Sequence, residues 1–317
     1  MDNKHAYLIM AHNNFYNLAV LLKMLDNEYN DIFLHVDKKI SNFSAGKLDC
    51  RMKYAGLHIF QEFRVNWGGF SQIRCELFLL KKACEYGRHS FYHLLSSADL
   101  PVKSQEDIRN FFEKHPDQQF IQFDEEKLER YQKNIYYRLK YYHPIQELRK
   151  ISSNQKISRV LTFLSKVIVF LQMILRIDRL KDRSLQIAYG SQWFSINQSF
   201  AEYIIKNEKW IRDIFEYTQV PDELFIQMLA INSPFKNTVF PGEDHLNGNL
   251  REIIWDFEYS REHPHIFTMA DWEMLKESKA LFARKFSDKD DRMIIKKIER
   301  EFGYEHEEQN SGCSCDI

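Results

Sequence analysis

The run HAYLIMAHNNFYNLAVLLKMLDNEYNDIFLHVDKK, residues 5–39, decides the fold class. It holds two short blocks of β-branched, aromatic and aliphatic residues, Ala6–Met10 and Ile32–Val36. Between them, over Phe15–Leu25, apolar side chains recur at helical spacing. Two strands joined through a helix make a βαβ unit, and such units assemble into an α/β fold with a mostly parallel sheet and helices on both faces. The alternation continues with strands expected at Leu57–Gln61, Tyr92–Ser96 and Phe120–Phe123 and helices at Gln72–Glu85 and Glu106–Lys114. Ser104, with Asp107 three residues later, opens the last of these as an approximate capping box.

Outward from this core the chain divides into an α/β half over residues 1–124, a helical insert over 125–185, a second half of the same domain over 186–303 and a polar tail over 304–317, expected to be disordered. In the second half we expect a strand from Gln186 into Phe194 and Ile196, helices after Gln198 and Pro221, and a strand at Ile253–Phe257. Basic residues number 44 and acidic residues 45, a balance that excludes the strongly basic surface of a generic nucleic-acid binder. Cys50, Cys75, Cys84, Cys313 and Cys315 show no zinc-site spacing and fit a reducing compartment. Met1–Ala11 carries no signal-peptide pattern, so the expected location is the cytoplasm.

Ligands of open α/β sheets bind beyond the carboxyl ends of the strands. Those positions carry Ala11-His12-Asn13, His35-Val36-Asp37-Lys38-Lys39 and Ser96-Ser97-Ala98-Asp99-Leu100-Pro101. Asp and His at such places also serve as turn formers and caps. Ahead of the second helix lies Arg64-Val65-Asn66-Trp67-Gly68-Gly69-Phe70-Ser71, where paired glycines would let a ligand approach the backbone beside an indole. The chain contains neither GxGxxG nor GxxxxGK[ST] nor GxSxG, which argues against a Rossmann dinucleotide site, a P-loop and the commonest hydrolase elbow.

Six elements, kept in order from about residue 5 to 290, are His35-Val36-Asp37-Lys38-Lys39, Trp67-Gly68-Gly69-x-Ser71, Ser96-x-x-Asp99-x-Pro101, Gly190-Ser191-Gln192-Trp193-Phe194, Pro221-Asp222-Glu223 and Leu281-Phe282-Ala283-Arg284-Lys285-Phe286. Together they resemble glycosyltransferase family 14, which contains the core-2/I-branching β-1,6-N-acetylglucosaminyltransferases and the protein xylosyltransferases. The resemblance implies a GT-A-type nucleotide-sugar transferase fold in a bacterial-type, cytoplasmic member. It implies inverting transfer from a UDP-sugar to a hydroxyl of a glycan or lipid-linked oligosaccharide acceptor, with no metal and no cofactor. N-acetylglucosamine is the default donor sugar, with xylose, galactose and galactofuranose open. By the same resemblance the catalytic base maps onto Glu223 and the diphosphate-binding lysine onto Lys285; the family's second cation falls on Glu262, a departure from the pattern that leaves Arg261, one residue away, or Arg284 to take the role. Nucleotide and donor contacts are expected from His12, Asp37, Arg64, Trp67, Ser97 and Asp99, and acceptor contacts from Trp193 and Glu126, with packing the alternative for Trp67 and a buried core indole the equal alternative for Trp193.

The residues can be weighed on chemistry alone. A departing nucleoside diphosphate needs a metal ion or fixed cations. Arg284-Lys285 interrupts an otherwise apolar segment, where an unpaired cation would be costly to bury and a phosphate would justify it. Asp288-Lys289-Asp290 reads as a solvated charge run, whereas Asp124-Glu125-Glu126 offers either a metal-dependent alternative through Asp124 and Glu126 or ordinary helix-opening acids. Pro221 suits the first position of a helix, which would put Glu223 in the opening turn, where the dipole favours its ionised, proton-accepting form, and leave Asp222 as a local cap. Tyr136-Tyr137 and Tyr141-Tyr142, with Arg138 and Lys140, suit sugar faces and helix packing equally. A carbohydrate-binding protein without turnover is the non-enzymatic alternative.

One segment points elsewhere. Over Lys156–Arg183, Val160, Leu161, Leu164, Val167, Ile168, Leu171 and Leu175 recur at helical spacing among seven cations, Lys156, Arg159, Lys166, Arg176, Arg179, Lys181 and Arg183, against Asp178 and Asp182. A basic amphipathic helix of this kind suits an anionic membrane surface, peripheral on its inner face. The competing expectation is a helix whose apolar face packs on its own domain.

Overall fold

The computed structural model describes residues 4–44, 46, 48, 51–150, 155–181, 183–243, 246–255 and 264–303. Arg261, Asp182, Cys50, Cys313, Cys315 and the tail over 304–317 lie outside the described residues.

In chain order the elements are β1 (His5–Ala11), α1 (Phe15–Met24), β2 (Asn30–Val36), β3 (Gly56–Phe60), α2 (Ser71–Tyr86), β4 (Phe91–Ser96), β5 (Asp99–Pro101), α3 (Gln105–Lys114), β6 (Phe120–Phe123), α4 (Glu125–Arg130) and α5 (Gln132–Lys140). They continue with α6 (Gln155–Ile174), β7 (Gly190–Asn197), α7 (Gln198–Lys206), α8 (Glu208–Phe215), α9 (Phe225–Ile231), β8 (Arg251–Ile253), α10 (Trp272–Glu277), β9 (Phe282–Arg284) and α11 (Arg292–Phe302).

Six strands form one sheet in the order β3-β2-β1-β4-β7-β6. The first four are mutually parallel, and β7 runs antiparallel to both β4 and β6. This is the expected α/β, GT-A-type arrangement. β1, β2 and β4 are apolar almost throughout because helices cover both faces of the sheet, and a strand buried on two sides has no solvent-facing row to keep polar. One apolar core gathers α1, α3, α10 and α11, and the other gathers α2, α7, α8 and α9. Ser104 caps α3 as expected, its Oγ accepting from the Asp107 N–H at 3.1 Å.

The chain steps outward through β1, β2 and β3, then returns to place β4 on the other side of β1. That reversal opens a crevice beyond the carboxyl ends of β1 and β4. A second sheet of three short strands, β5-β9-β8, starts where the chain leaves the carboxyl end of β4. Three-residue strands show no periodicity, so the sequence presents β5 as a strand-end loop and β9 as a bare apolar segment. Arg251 on β8 stitches the two sheets together. Fully buried, it donates to the Phe194 and Leu94 carbonyls at 2.7 and 3.2 Å and to Ser195 Oγ at 2.8 Å. Burial pushes its pKa down to about 9, with Asp99 opposing the shift.

Candidate active site

The cationic wall of the crevice is built by pairing β5 with β9, which sets Asp99 opposite Arg284. The Asp99 carboxylate accepts from Ser96 Oγ at 2.6 Å and from the Ser96 N–H, leaving its other oxygen 3.5 Å from the Arg284 guanidinium. Arg284 also lies over the ring of Trp193, 4.1 Å from its centroid. Of the two readings open for Trp193, the structure gives the buried indole, with one face occupied by a cation, over the acceptor platform. Burial and the neighbouring Arg284 lower the pKa of Lys285, with Asp290 opposing the shift. Ser97 is buried, tied through its own N–H to the Met10 carbonyl at 3.2 Å and through its carbonyl to Asn17 Nδ2 at 2.8 Å, so it shapes the β4–β5 turn.

Above β1 and β2 the same crevice holds His12 and Asp37. His12 presents its edge to solvent, while the crevice walls, followed by Lys39, Lys285 and Arg284, lower its pKa against the opposing pull of Asp37. The Asp37 carboxylate is held by the Lys39 N–H at 2.8 Å and the Lys39 ammonium at 3.2 Å. Arg64 is exposed and Trp67 is 61% exposed, both on the rim.

The acidic wall comes from another direction. Pro221–Glu223 forms a short 3-10 turn entered through Val220 at φ 48°, and α9 begins only at Phe225. Glu223 thus ends a tight turn instead of opening an α-helix, and the expected helix-dipole support is replaced by a direct cation. Arg138 of α5 donates to Glu223 Oε2 at 3.1 Å, and also to the Gln219 carbonyl at 2.8 Å and the Val220 carbonyl. The Tyr189 phenol lies beside the same carboxylate and has its pKa raised by burial and by that charge. Glu223 keeps 31% of its side chain exposed, so one flank stays open to solvent.

Asp222 is not the expected cap. It is buried, accepts from Gln72 Nε2 at 3.2 Å, and has its pKa raised to about 7 by desolvation and the adjacent Glu223. Behind it Glu76 is also fully buried, and burial with the Asp222 charge pushes its carboxyl well up. Gln72 in turn accepts from the Gly68 N–H at 2.5 Å, and Val220 donates to the Gly68 carbonyl at 2.9 Å. The paired glycines therefore serve contact between loops. Gly68 sits at φ 69° with Val220 Cγ2 3.2 Å from where a Cβ would be, and a Cβ on Gly69 would lie 2.7 Å from the Glu147 carboxylate. Glu147 belongs to the insert and accepts from the Ser71 N–H at 2.5 Å and Ser71 Oγ at 2.9 Å.

Gly190-Ser191-Gln192-Trp193 joins the two walls. Gln192 reaches Gln72 at 3.5 Å, behind the acidic turn, and the next residue carries the Arg284 cation on its ring. Gly190 is required at its position because a Cβ would come within 1.9 Å of the Gln122 carbonyl. Asp124 caps α4, accepting from the Lys127 N–H at 2.9 Å, and Glu126 lies exposed in the first turn of that helix. Among the described residues no three His, Cys, Asp or Glu side chains come together as a ligand set for a metal. Arg138, Glu147 and Tyr189 were missed as site residues; only Arg138 carried a signal, as the cation inside the Tyr136–Tyr142 aromatic run.

The α/β sheet, its switch-point crevice and the order of these motifs define one class, and the chain belongs to the Core-2/I-Branching enzyme family, whose profile matches residues 5–279. Xylosyltransferase 2 of Rattus norvegicus is 24% identical over 263 residues, covering 79% of this chain and 26% of that protein. Xylosyltransferase 1 of Homo sapiens is 22% identical over 263 residues, covering 79% of this chain and 24% of that protein. The chain thus spans about a quarter of the length of the curated relatives it matches.

Proposed function

We propose that the protein is an inverting glycosyltransferase that moves a sugar, N-acetylglucosamine by default, from a UDP-sugar to a hydroxyl of a glycan acceptor. The observation that carries this reading is that Gln192 and Trp193, adjacent on β7, connect a partly open carboxylate pinned by Arg138 with a cation pair: Gln192 reaches Gln72, which holds Asp222 beside Glu223, and Trp193 carries Arg284, the neighbour of Lys285, on its ring. Glu223 takes the proton of the acceptor hydroxyl as its oxygen attacks the anomeric carbon. The bond from that carbon to the diphosphate breaks on the opposite side, and the leaving oxygen carries away the electron pair. Arg284 and Lys285 meet the charge that develops there, without a metal. Trp67 and Arg64 on the rim, with Asp37 and His12 beyond β1 and β2, fit the nucleotide, and Asp99 orients Arg284.

The names of the relatives make xylose the alternative donor. A panel of UDP, UDP-N-acetylglucosamine and UDP-xylose in thermal-shift assays, with and without EDTA, tests the reading. The expected result is stabilisation by UDP and one UDP-sugar that EDTA leaves unchanged. No shift with any nucleotide overturns it.

A further inference from the structure

α6 turns a narrow, mixed face to its domain and a broad apolar face outward. Its buried side chains are Val169 and Gln172, and Ser158, Thr162 and Ser165 on the same face are half-buried, flanked by half-buried Leu161 and Ile168. Gln172 exchanges two hydrogen bonds with the Tyr142 backbone, at 2.8 and 2.9 Å. The opposite face shows Val160, Phe163, Leu164, Phe170, Leu171 and Ile174 to solvent, with Val160 65% and Phe163 69% exposed. Amphipathic helices of globular domains turn their apolar stripe inward. A contiguous apolar surface of this size marks a binding face.

We propose that α6 lies in the interface of an anionic lipid bilayer, with its axis parallel to the membrane plane. The charges choose the occupant. Arg159 and Lys166, seven residues apart and therefore aligned, run along one edge of the apolar face, and Arg176, Lys181 and Arg183 are exposed just past its end. α6 itself contains no acidic residue. Cations at that edge meet lipid phosphates while the phenylalanines enter the acyl boundary. In a second copy the same face would bring only more cations to the edge, with no carboxylate on either helix to balance them.

α6 also has the length and mean hydropathy, 1.7 over Lys156–Ile174, of a helix that crosses a bilayer. The sheet forbids it. β6 precedes the helix and β7 follows it, and the two are hydrogen-bonded neighbours with Phe123 opposite Gly190. A single crossing would put those strands on opposite sides of the membrane. Arg179 takes no part, because its guanidinium donates to the Ile214 carbonyl at 2.7 Å and stacks 4.6 Å from the Tyr142 ring, a pin for the helix's trailing turn. Asp178 is likewise engaged, by Tyr136 and Lys140. Because Tyr142 follows α5, which holds Glu223 through Arg138, the membrane would lie on the insert's side of the crevice; that a lipid-linked glycan is the acceptor rests on the transfer reading above.

The test is co-sedimentation of the full chain with vesicles of phosphatidylcholine alone or mixed with phosphatidylglycerol, at low and high salt, alongside size-exclusion chromatography without lipid. The wild type should pellet with the anionic vesicles, and less so at high salt. Changing Val160, Phe163 and Phe170 to Asp, at positions open to solvent, should lower partitioning about 100-fold. Changing Arg159 and Lys166 to Glu should lower it at least about tenfold. UDP-induced stabilisation should remain unchanged in both variants, which separates this outcome from failure of the transfer reading. Recovery of wild type in the supernatant with both vesicle types overturns the proposal, as does a lipid-free dimer that the aspartate variant dissolves.

Discussion

The cationic and acidic walls of the crevice are assembled in opposite ways. Arg284 is set by strand pairing, with Asp99 across the ladder and Trp193 beneath, so its position is as rigid as the sheets that carry it. Glu223 ends a short turn and is held by Arg138, which arrives from a helix 85 residues away in sequence. On the proposed mechanism, a wall fixed by backbone pairing fails through loss of ligand binding, and one fixed by a distant side chain fails through loss of geometry at the reacting atom.

The sharpest separation should come from Glu223→Gln, which keeps the shape and removes proton acceptance. Transfer should fall roughly 10²- to 10⁴-fold with UDP affinity near wild type, measured by single-turnover transfer and calorimetry. Equal loss of both would remove the distinction between the walls.

Asp222 gives a stability effect of similar size. Its folded pKa, about 7, lies above the usual carboxylate value near 4. Between those values the unfolded chain releases a proton that the native state keeps, so native stability falls as pH rises through this window. Above it the cost reaches as much as about 4 kcal/mol. Asp222→Asn should match wild type in urea unfolding near pH 4 and exceed it increasingly toward pH 8. A constant difference across that range would show that Asp222 ionises normally.

Lys285→Ala should weaken UDP binding and transfer together, by about 2 to 4 kcal/mol, with no dependence on chelators. Activity lost in EDTA and restored by Mn²⁺ would transfer the leaving-group role to a metal. The smallest effect expected is that of Arg138→Lys, which keeps a charge but not the fork that spans Glu223 and two carbonyls. About a tenfold drop in kcat with unchanged UDP affinity would place Arg138 as a positioning residue. A change in UDP affinity alone would assign it to the other wall.

The long parallel strands were legible because burial on both faces writes itself as an unbroken apolar run, and β6 was placed to the residue. Three-residue strands leave no such trace, which hid the sheet that carries Arg284. For α6 the wheel identified an apolar face but could not say on which side the protein lay, since periodicity fixes a direction around the axis and not what occupies it. Glu223 was legible as a motif. Its support was not, because Val220 in the left-handed region breaks the helix that Pro221 seemed to begin, and the Arg138 contact has no local signature. The glycines of Trp67-Gly68-Gly69 were read as room for a ligand and prove to be room for the Val220 and Glu147 loops.

The pairing of Phe123 with Gly190 also bears on how the chain reaches this state. Closing a loop of roughly 65 residues to form that pair costs about 4 kcal/mol of chain entropy before any contact repays it. β1 and β2, where His5 faces Asn30, and β2 and β3, where Asp31 faces Gly56, face much smaller closures, whereas β1 and β4, where His5 faces Phe91, face one at least as large. The β1–β2–β3 unit should therefore order first, with β4, β6 and β7 joining later. A partly folded chain would then expose the apolar face of α6 before its crevice exists, and, on the membrane placement proposed above, a bilayer would capture the protein during folding instead of after it.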